Sequence, residues 1–187
     1  VSVHPGSAKD IMVNAMQVCC DINNMLPTLE APRYTEGYEG FYHLLEIHGD
    51  ECAGGMSYIV RDFDAASFEC RKQTLRHIAK VLNEKWGEGT VSLVIKDEYQ
   101  NMENVIEDHM FTIDNAKKAC ERAGIAPKVT PIRGGTDGCQ LSFRGLPCPN
   151  LGTGGDGYHG PLEHATVEGI DIATKALIEL VKVYAEA

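Results

Sequence analysis

Hydrophobic positions change period several times along the 187 residues, and each change marks an element. After Val1-Ser-Val-His4, which has the rhythm of a strand, Pro5-Gly6-Ser7 interrupts the chain. From Ala8 to Met25 the residues Ile11, Ala15, Val18, Ile22 and Met25 fall at helical spacing until Pro27 stops the run. Two β-like stretches come next, Gly40 to Ile47 and Cys52 to Phe63, separated by the turn residues His48-Gly-Asp50. They predict a hairpin. Asp64 is placed to cap a helix in which Phe68, Leu75, Ile78, Leu82 and Trp86 share a face, and Gly87 and Gly89 end it before the strand-like Val91-Ser-Leu-Val-Ile95.

The order is βαββαβ, the ferredoxin-like pattern of two helices on one face of an antiparallel sheet. The opening strand is short and reads as the tail of one already under way, so the chain is expected to begin inside a longer protein. From about Asp108 the rhythm changes to α/β. A helix through Ala116, Ala119, Cys120 and Ala123 ends at Gly124, and a short strand is expected at Lys128 to Ile132. Arg133-Gly-Gly-Thr-Asp-Gly138 opens a short helix, Pro149-Asn-Leu151 reads as a buried strand, and a last helix carries Ile170, Ala173, Leu177, Leu180 and Tyr184. The expected domains are therefore 1–107 and 108–187.

Charge narrows the choice of partner. The formal net charge is -10, and neither part has the basic footprint that binding to phosphates demands, so no nucleic acid is expected. No run of eighteen apolar residues is present, so no membrane partner is expected either. Seven cysteines without a C-x-x-C pair fit a reducing, cytoplasmic setting.

Several segments could carry chemistry. Gly152-Thr-Gly154-Gly-Asp-Gly157 matches G-x-G-x-x-G, but Tyr158-His-Gly-Pro161 continues the loop where a dinucleotide site needs a helix to begin. The loop is better suited to presenting His159. His159-Gly-Pro-Leu-Glu163-His164 is one residue too long for H-x-x-E-H, and its Gly-Pro forbids a regular zinc helix, so His159 is either a single ligand completed by other segments or an ordinary loop histidine. Arg61, flanked by Asp62 and Asp64, can grip a carboxylate in bidentate fashion or belong to a solvated charged edge. Arg133, Gly134, Gly135, Thr136 and Asp137 form a sharp turn before a helix, suited to an anionic group or to a plain cap. His4, at a strand-to-helix turn, can donate to a carbonyl oxygen on which charge develops, or be structural.

Taken in order, Val3-His-Pro-Gly-Ser-Ala-Lys9, Thr35-Glu-Gly-Tyr-Glu-Gly-Phe-Tyr-His43, Ile59-Val-Arg-Asp-Phe-Asp64, Ile132-Arg-Gly-Gly-Thr-Asp-Gly138, Leu146-Pro-Cys-Pro-Asn-Leu151 and Tyr158-His-Gly160 make the chain resemble the C-terminal half of a tripeptide aminopeptidase in the family of di-zinc exopeptidases and deacylases. The resemblance implies a ferredoxin-like lid and dimerisation domain over residues 1–107, followed by the C-terminal portion of an α/β zinc-exopeptidase catalytic domain. It implies that His159 is a zinc ligand and that His4 reaches a substrate carbonyl, often in the partner subunit of a homodimer. It implies too that Arg61 and residues 133–137 bind a short peptide substrate. Two zinc ions are the expected cofactor of the complete enzyme. The remaining ligands and the general base are expected upstream of Val1, which would leave this piece alone inactive. A related deacylase or carboxypeptidase, or a dimerisation module without catalysis, stays as the alternative.

Overall fold

A computed structural model describes residues 1–186 and separates into two units, Val1–Asp97 and a second from Glu98 onward. That division falls ten residues before the one expected after Glu107. The turns around Met102 to His109 belong to the second unit, where Met102 Sδ receives the hydroxyl of the buried Ser142 at 3.6 Å.

In the first unit, helix α1 (Ala15–Met25) begins seven residues later than the apolar spacing predicts. Pro5–Ser7 form a 3-10 turn, and Asp10 adopts φ 60°, a left-handed conformation that ends any helix but that Asp tolerates. Asn14 then caps α1, its Oδ1 accepting from the Gln17 N–H at 3.1 Å. Ile11 consequently lies outside the helix and is exposed. Strands β1 (Phe41–Gly49) and β2 (Gly54–Arg61) form the expected antiparallel hairpin, with Phe41 opposite Arg61 and a bulge at Leu45. Helix α2 (Ala65–Trp86) starts where Asp64 accepts from the Ser67 N–H at 2.7 Å and stops at Gly87, whose φ of 109° suits glycine.

Val18 and Leu26 from the α1 region, Tyr42 from β1, and Ile78 and Leu82 from α2 make one buried cluster, with Ile22, Tyr58, Val60, Leu75, Trp86 and Val91 around it. Each such side chain contributes about 1.5–3 kcal/mol by leaving water. Burial also pushes the Tyr58 hydroxyl up to about 12, with the neighbouring Cys19 adding to the effect. Tyr58 donates to Asn23 Oδ1 at 2.9 Å.

Neither the first nor the last strand of the expected βαββαβ order forms, and the sheet of this unit is the two-stranded β1–β2 ladder. Val1 exchanges backbone hydrogen bonds with Val13, at 2.8 and 3.1 Å, instead of joining a ladder. At the other end Asn83 replaces a strand partner. Its amide donates to the Val91 carbonyl at 2.9 Å and its Oδ1 accepts the Val91 N–H at 2.7 Å. Two local bonds thus satisfy the backbone of Val91 beside the core without a neighbouring strand. Asn83→Ala removes both, and a loss of about 2 kcal/mol is expected. The check is urea unfolding followed through Trp86, the single tryptophan and a neighbour of this core.

The second unit contains α3 (Glu103–Ile106), α4 (Phe111–Arg122), α5 (Asp137–Phe143), a minimal ladder of β3 (Gly155–Asp156) with β4 (His164–Ala165), and α6 (Val167–Ala185). Helix α4 packs on α6 around Ala119 and Val183, both essentially buried, and the Arg122 guanidinium holds the Glu186 carboxylate at 2.6 and 3.0 Å. The strands expected at Lys128 to Ile132 and Pro149 to Leu151 do not form. Val129 and Ile132 are exposed with no ladder to join. The second stretch is instead held from the side, Ser142 Oγ accepting the Cys148 N–H at 3.0 Å while Gly138 lies directly against the Cys148 carbonyl. The fold is mixed α/β.

Candidate functional site

The candidate residues lie in both units, and each unit carries its own set. In the first, His4 is the N-cap of the 3-10 turn, its Nδ1 accepting from the Gly6 N–H at 3.1 Å. A neutral imidazole that accepts at Nδ1 must carry its proton on Nε2. The turn therefore selects the tautomer that presents an outward N–H donor, and the side chain is exposed. Gly6 keeps this possible, since a Cβ there would stand 3.2 Å from His4 Cε1 and Nδ1.

Arg61 ends β2, half-buried and opposite Phe41. The residues after it are fixed by an ion-pair cluster drawn from distant parts of the chain. Arg71 on α2 donates from Nε to Asp62 Oδ2 at 2.8 Å and from Nη1 to Glu30, while its guanidinium lies 5.2 Å from the centre of the Tyr42 ring. Burial opposes the guanidinium charge, but the hydrogen bonds to Asp62 and Glu30 outweigh it and hold the Arg71 pKa above the usual arginine range. Gly40 packs so tightly here that a Cβ would come within 2.6 Å of the Arg61 carbonyl and of Arg71 Nε. Tyr38 meets Phe63 edge-on at 5.0 Å. The segment Tyr38 to Phe41 and the segment Arg61 to Phe63 are thereby locked side by side.

In the second unit, Arg133 is half-buried, Gly134 exposed, and Gly135 covered by Tyr99, whose ring leaves only 2.4 Å for a Cβ. Thr136 is the N-cap of α5 by position, but its hydroxyl makes no capping bond and lies 3.5 Å from Cys139 Sγ. Asp137, the first residue of α5, is exposed.

His159 sits in the loop between β3 and β4 with φ 62°, and it and Asp10 are the non-glycine residues with positive φ among those described. Its own N–H donates to the Glu163 carboxylate at 3.0 Å, and Gly160 N–H closes a turn onto the Gly157 carbonyl at 2.9 Å. Tyr158 braces the base of the loop by donating to the Gly155 carbonyl at 2.8 Å. The imidazole is exposed at the tip, whereas His164 Nδ1 lies 2.9 Å from the Leu162 carbonyl. A left-handed histidine held by this many local bonds marks a side chain aimed by its backbone. Zinc needs three or four such ligands. Among the described residues no group of three His, Cys, Asp or Glu could hold a metal, so these residues on their own do not fit a zinc ion.

The glycine-rich motif has a structural use. Gly154, at φ 78°, touches the backbone of Gly169 in the first turn of α6, and a Cβ on Gly154 would stand 2.3 Å from it. The motif seats the His159 loop on α6.

No family model matches the chain. Among curated proteins, peptidase T of Clostridium perfringens is 48% identical over 185 residues, covering 99% of this chain and 46% of that protein. By sequence, the chain is a peptidase T relative. Peptidase T of Caldanaerobacter subterraneus is 48% identical over 98% of the chain, and that of Bacillus subtilis 45% identical over 97%. The chain spans about half the length of the curated relatives it matches. Two solved structures share its fold. A tripeptidase from Staphylococcus aureus has a TM-score of 0.67 at 14% identity over 99% of the chain and 49% of its own. Aminopeptidase PepT from Bacillus cereus has a TM-score of 0.64 at 16% identity, covering 98% and 48%. Among the described residues no helix is long and apolar enough to cross a membrane.

Proposed function

We propose that this chain supplies the substrate-gripping lid and part of the catalytic domain of a zinc-dependent aminopeptidase that removes the N-terminal residue from short peptides, chiefly tripeptides. The observation that carries the proposal is 48% identity to peptidase T along nearly the whole chain. His4 donates from Nε2 to the scissile carbonyl oxygen, the tautomer its turn selects being the one this task needs. In the first unit Arg61 holds the peptide carboxylate or backbone, and in the second Arg133, Gly134, Gly135, Thr136 and Asp137 serve as substrate-binding residues. His159 supplies one imidazole to zinc, and residues outside these 187 complete the ligand set, in keeping with relatives about twice as long.

The first unit acts as the lid and joins two copies in a homodimer, its hairpin and two helices being the centre of a ferredoxin-like domain. The seven cysteines, all free thiols in the structure, suit a reducing cytoplasm. Alone, the chain hydrolyses no peptides.

The test is a complete enzyme in which this chain is joined to the remaining half of a peptidase T relative, assayed on tripeptides and on N-acyl amino acids. Tripeptides are expected to be cleaved and N-acyl amino acids left intact. His4→Ala should lower kcat by about a hundredfold or more with little change in KM, as for loss of an oxyanion donor. An unchanged kcat would remove His4 from the mechanism. Tight binding of two zinc ions by the 187 residues alone would contradict the shared-site reading.

A further inference from the structure

Strand β2 ends on Arg61, and the end of a strand is where it frays most easily. Which way Arg61 faces is decided by its neighbours. Tyr58 and Val60 pack with Tyr42 on the core beneath α2, so strand alternation sends Arg61 to the opposite face of the hairpin and Asp62 back to the helix side. A slip of one residue at this end would exchange the two side chains between faces.

Asp62 is pinned on the helix side by Arg71, whose Nε donates to it at 2.8 Å. The same guanidinium reaches Glu30 through Nη1, and Glu30 is itself fixed to β1 by its carbonyl, which accepts the Tyr42 N–H at 2.8 Å. Tyr42 closes the circuit by donating its hydroxyl to the Arg71 carbonyl at 3.3 Å. Gly40 lies so close that a Cβ would press on Asp62 and on the Arg61 carbonyl. A buried ion pair is weak evidence for stability, since well-packed apolar residues can serve as well. This one is spent on direction: it holds the residue next to Arg61 on one face and thereby Arg61 on the other.

We propose that Arg71 is a positioning residue for substrate: through Asp62 it keeps Arg61 turned to the face on which Arg61 grips the C-terminal carboxylate of the peptide. Arg71 touches no substrate itself. The role rests on Arg61 being the residue that grips the peptide, and the test separates the two.

The complete enzyme, this chain joined to the remaining half of a peptidase T relative, is assayed on a tripeptide and on the same tripeptide amidated at its C-terminus. The readout is the ratio of the two kcat/KM values, which a loss of folded protein leaves unchanged because both substrates suffer alike. Arg61→Met is expected to lower the ratio about tenfold or more, as for loss of a charge-assisted pair. Arg71→Met should lower it to a similar extent, and the double variant Arg61→Met/Arg71→Met no further than Arg61→Met alone. Arg76→Met, on the same helix but paired with Glu69 at the surface, should leave the ratio at its parent value.

A parent-like ratio in Arg71→Met beside a reduced one in Arg61→Met overturns the positioning role and leaves Arg61 as the grip. A parent-like ratio in Arg61→Met overturns both. An equal fall in Arg76→Met would assign the effect to α2 as a whole and overturn the role of Arg71. Should Arg71→Met fail to fold, Arg71→Lys and Glu30→Ala decide. Each leaves a cation beside Asp62 but breaks the fork to Glu30, and a fall of about threefold or more is expected. A parent-like ratio in both overturns the proposal.

Discussion

Arg71→Met is expected to cost the first unit about 3 kcal/mol, because it leaves the Asp62 carboxylate buried without its cation. Asp62 is 6% exposed at its side chain and Arg71 14%, whereas Glu30 is 41% exposed and can turn toward water once released. The unpaired Asp62 charge is therefore the main penalty, and loss of the guanidinium over the Tyr42 ring adds a smaller one. Trp86 fluorescence during urea unfolding measures the effect in the right place, since Trp86 packs on the core of this unit. The double variant Arg71→Met/Asp62→Leu removes both buried charges and should recover most of the loss. If the single and double variants unfold together, the cluster contributes packing and not charge compensation.

The same cluster explains what could be read from the sequence and what could not. The hairpin and α2 were legible because their signals are local: alternating apolar residues, Asp64 three residues before the N–H it caps, Gly87 at the stop. The helix before Gly124 was legible for the same reason, its glycine taking φ 77°. Apart from the late start of α1, which the local turn at Asp10 and the Asn14 cap impose, the failures concern partners. Val91 to Ile95 has the composition of a strand, but a strand needs a neighbour, and Asn83 supplied the bonds from within the preceding helix. Arg71 reaches across 41 residues to Glu30, and nothing in a run of charged residues on α2 distinguishes it from Arg76, which pairs with Glu69 at the surface.

The candidate site divides in the same way. That His159 would be presented by a glycine-rich loop was visible in the sequence, while its left-handed backbone and the grip of Glu163 on its N–H were not. Nor could the pattern His4-Pro-Gly6 show which ring nitrogen was occupied. Element type followed from neighbours in sequence, and side-chain role from neighbours in space.

The second large effect is expected in the glycine-rich loop, where Gly154→Ala should destabilise the second unit by about 3 kcal/mol. Of this, about 1–2 kcal/mol comes from placing a Cβ on a left-handed backbone, and the rest from overpacking. The new Cβ would stand 2.3 Å from the Gly169 carbonyl carbon and oxygen, which are backbone atoms of α6 and cannot rotate aside. Gly169→Ala attacks the same contact from the other side, its Cβ 2.4 Å from the Gly154 oxygen, and should loosen the loop without the φ penalty. Gly152 meets nothing within 4 Å, so Gly152→Ala should stay within about 0.5 kcal/mol of the parent chain. Amide hydrogen exchange over residues 153–170 provides the readout, with faster exchange expected for the Gly154 and Gly169 variants. A phosphate-binding loop would need its first glycine for the tight turn beside the ligand. A packing device needs the one that touches the helix, and equal exchange in the Gly152 and Gly154 variants would show that the His159 loop is not held in this way.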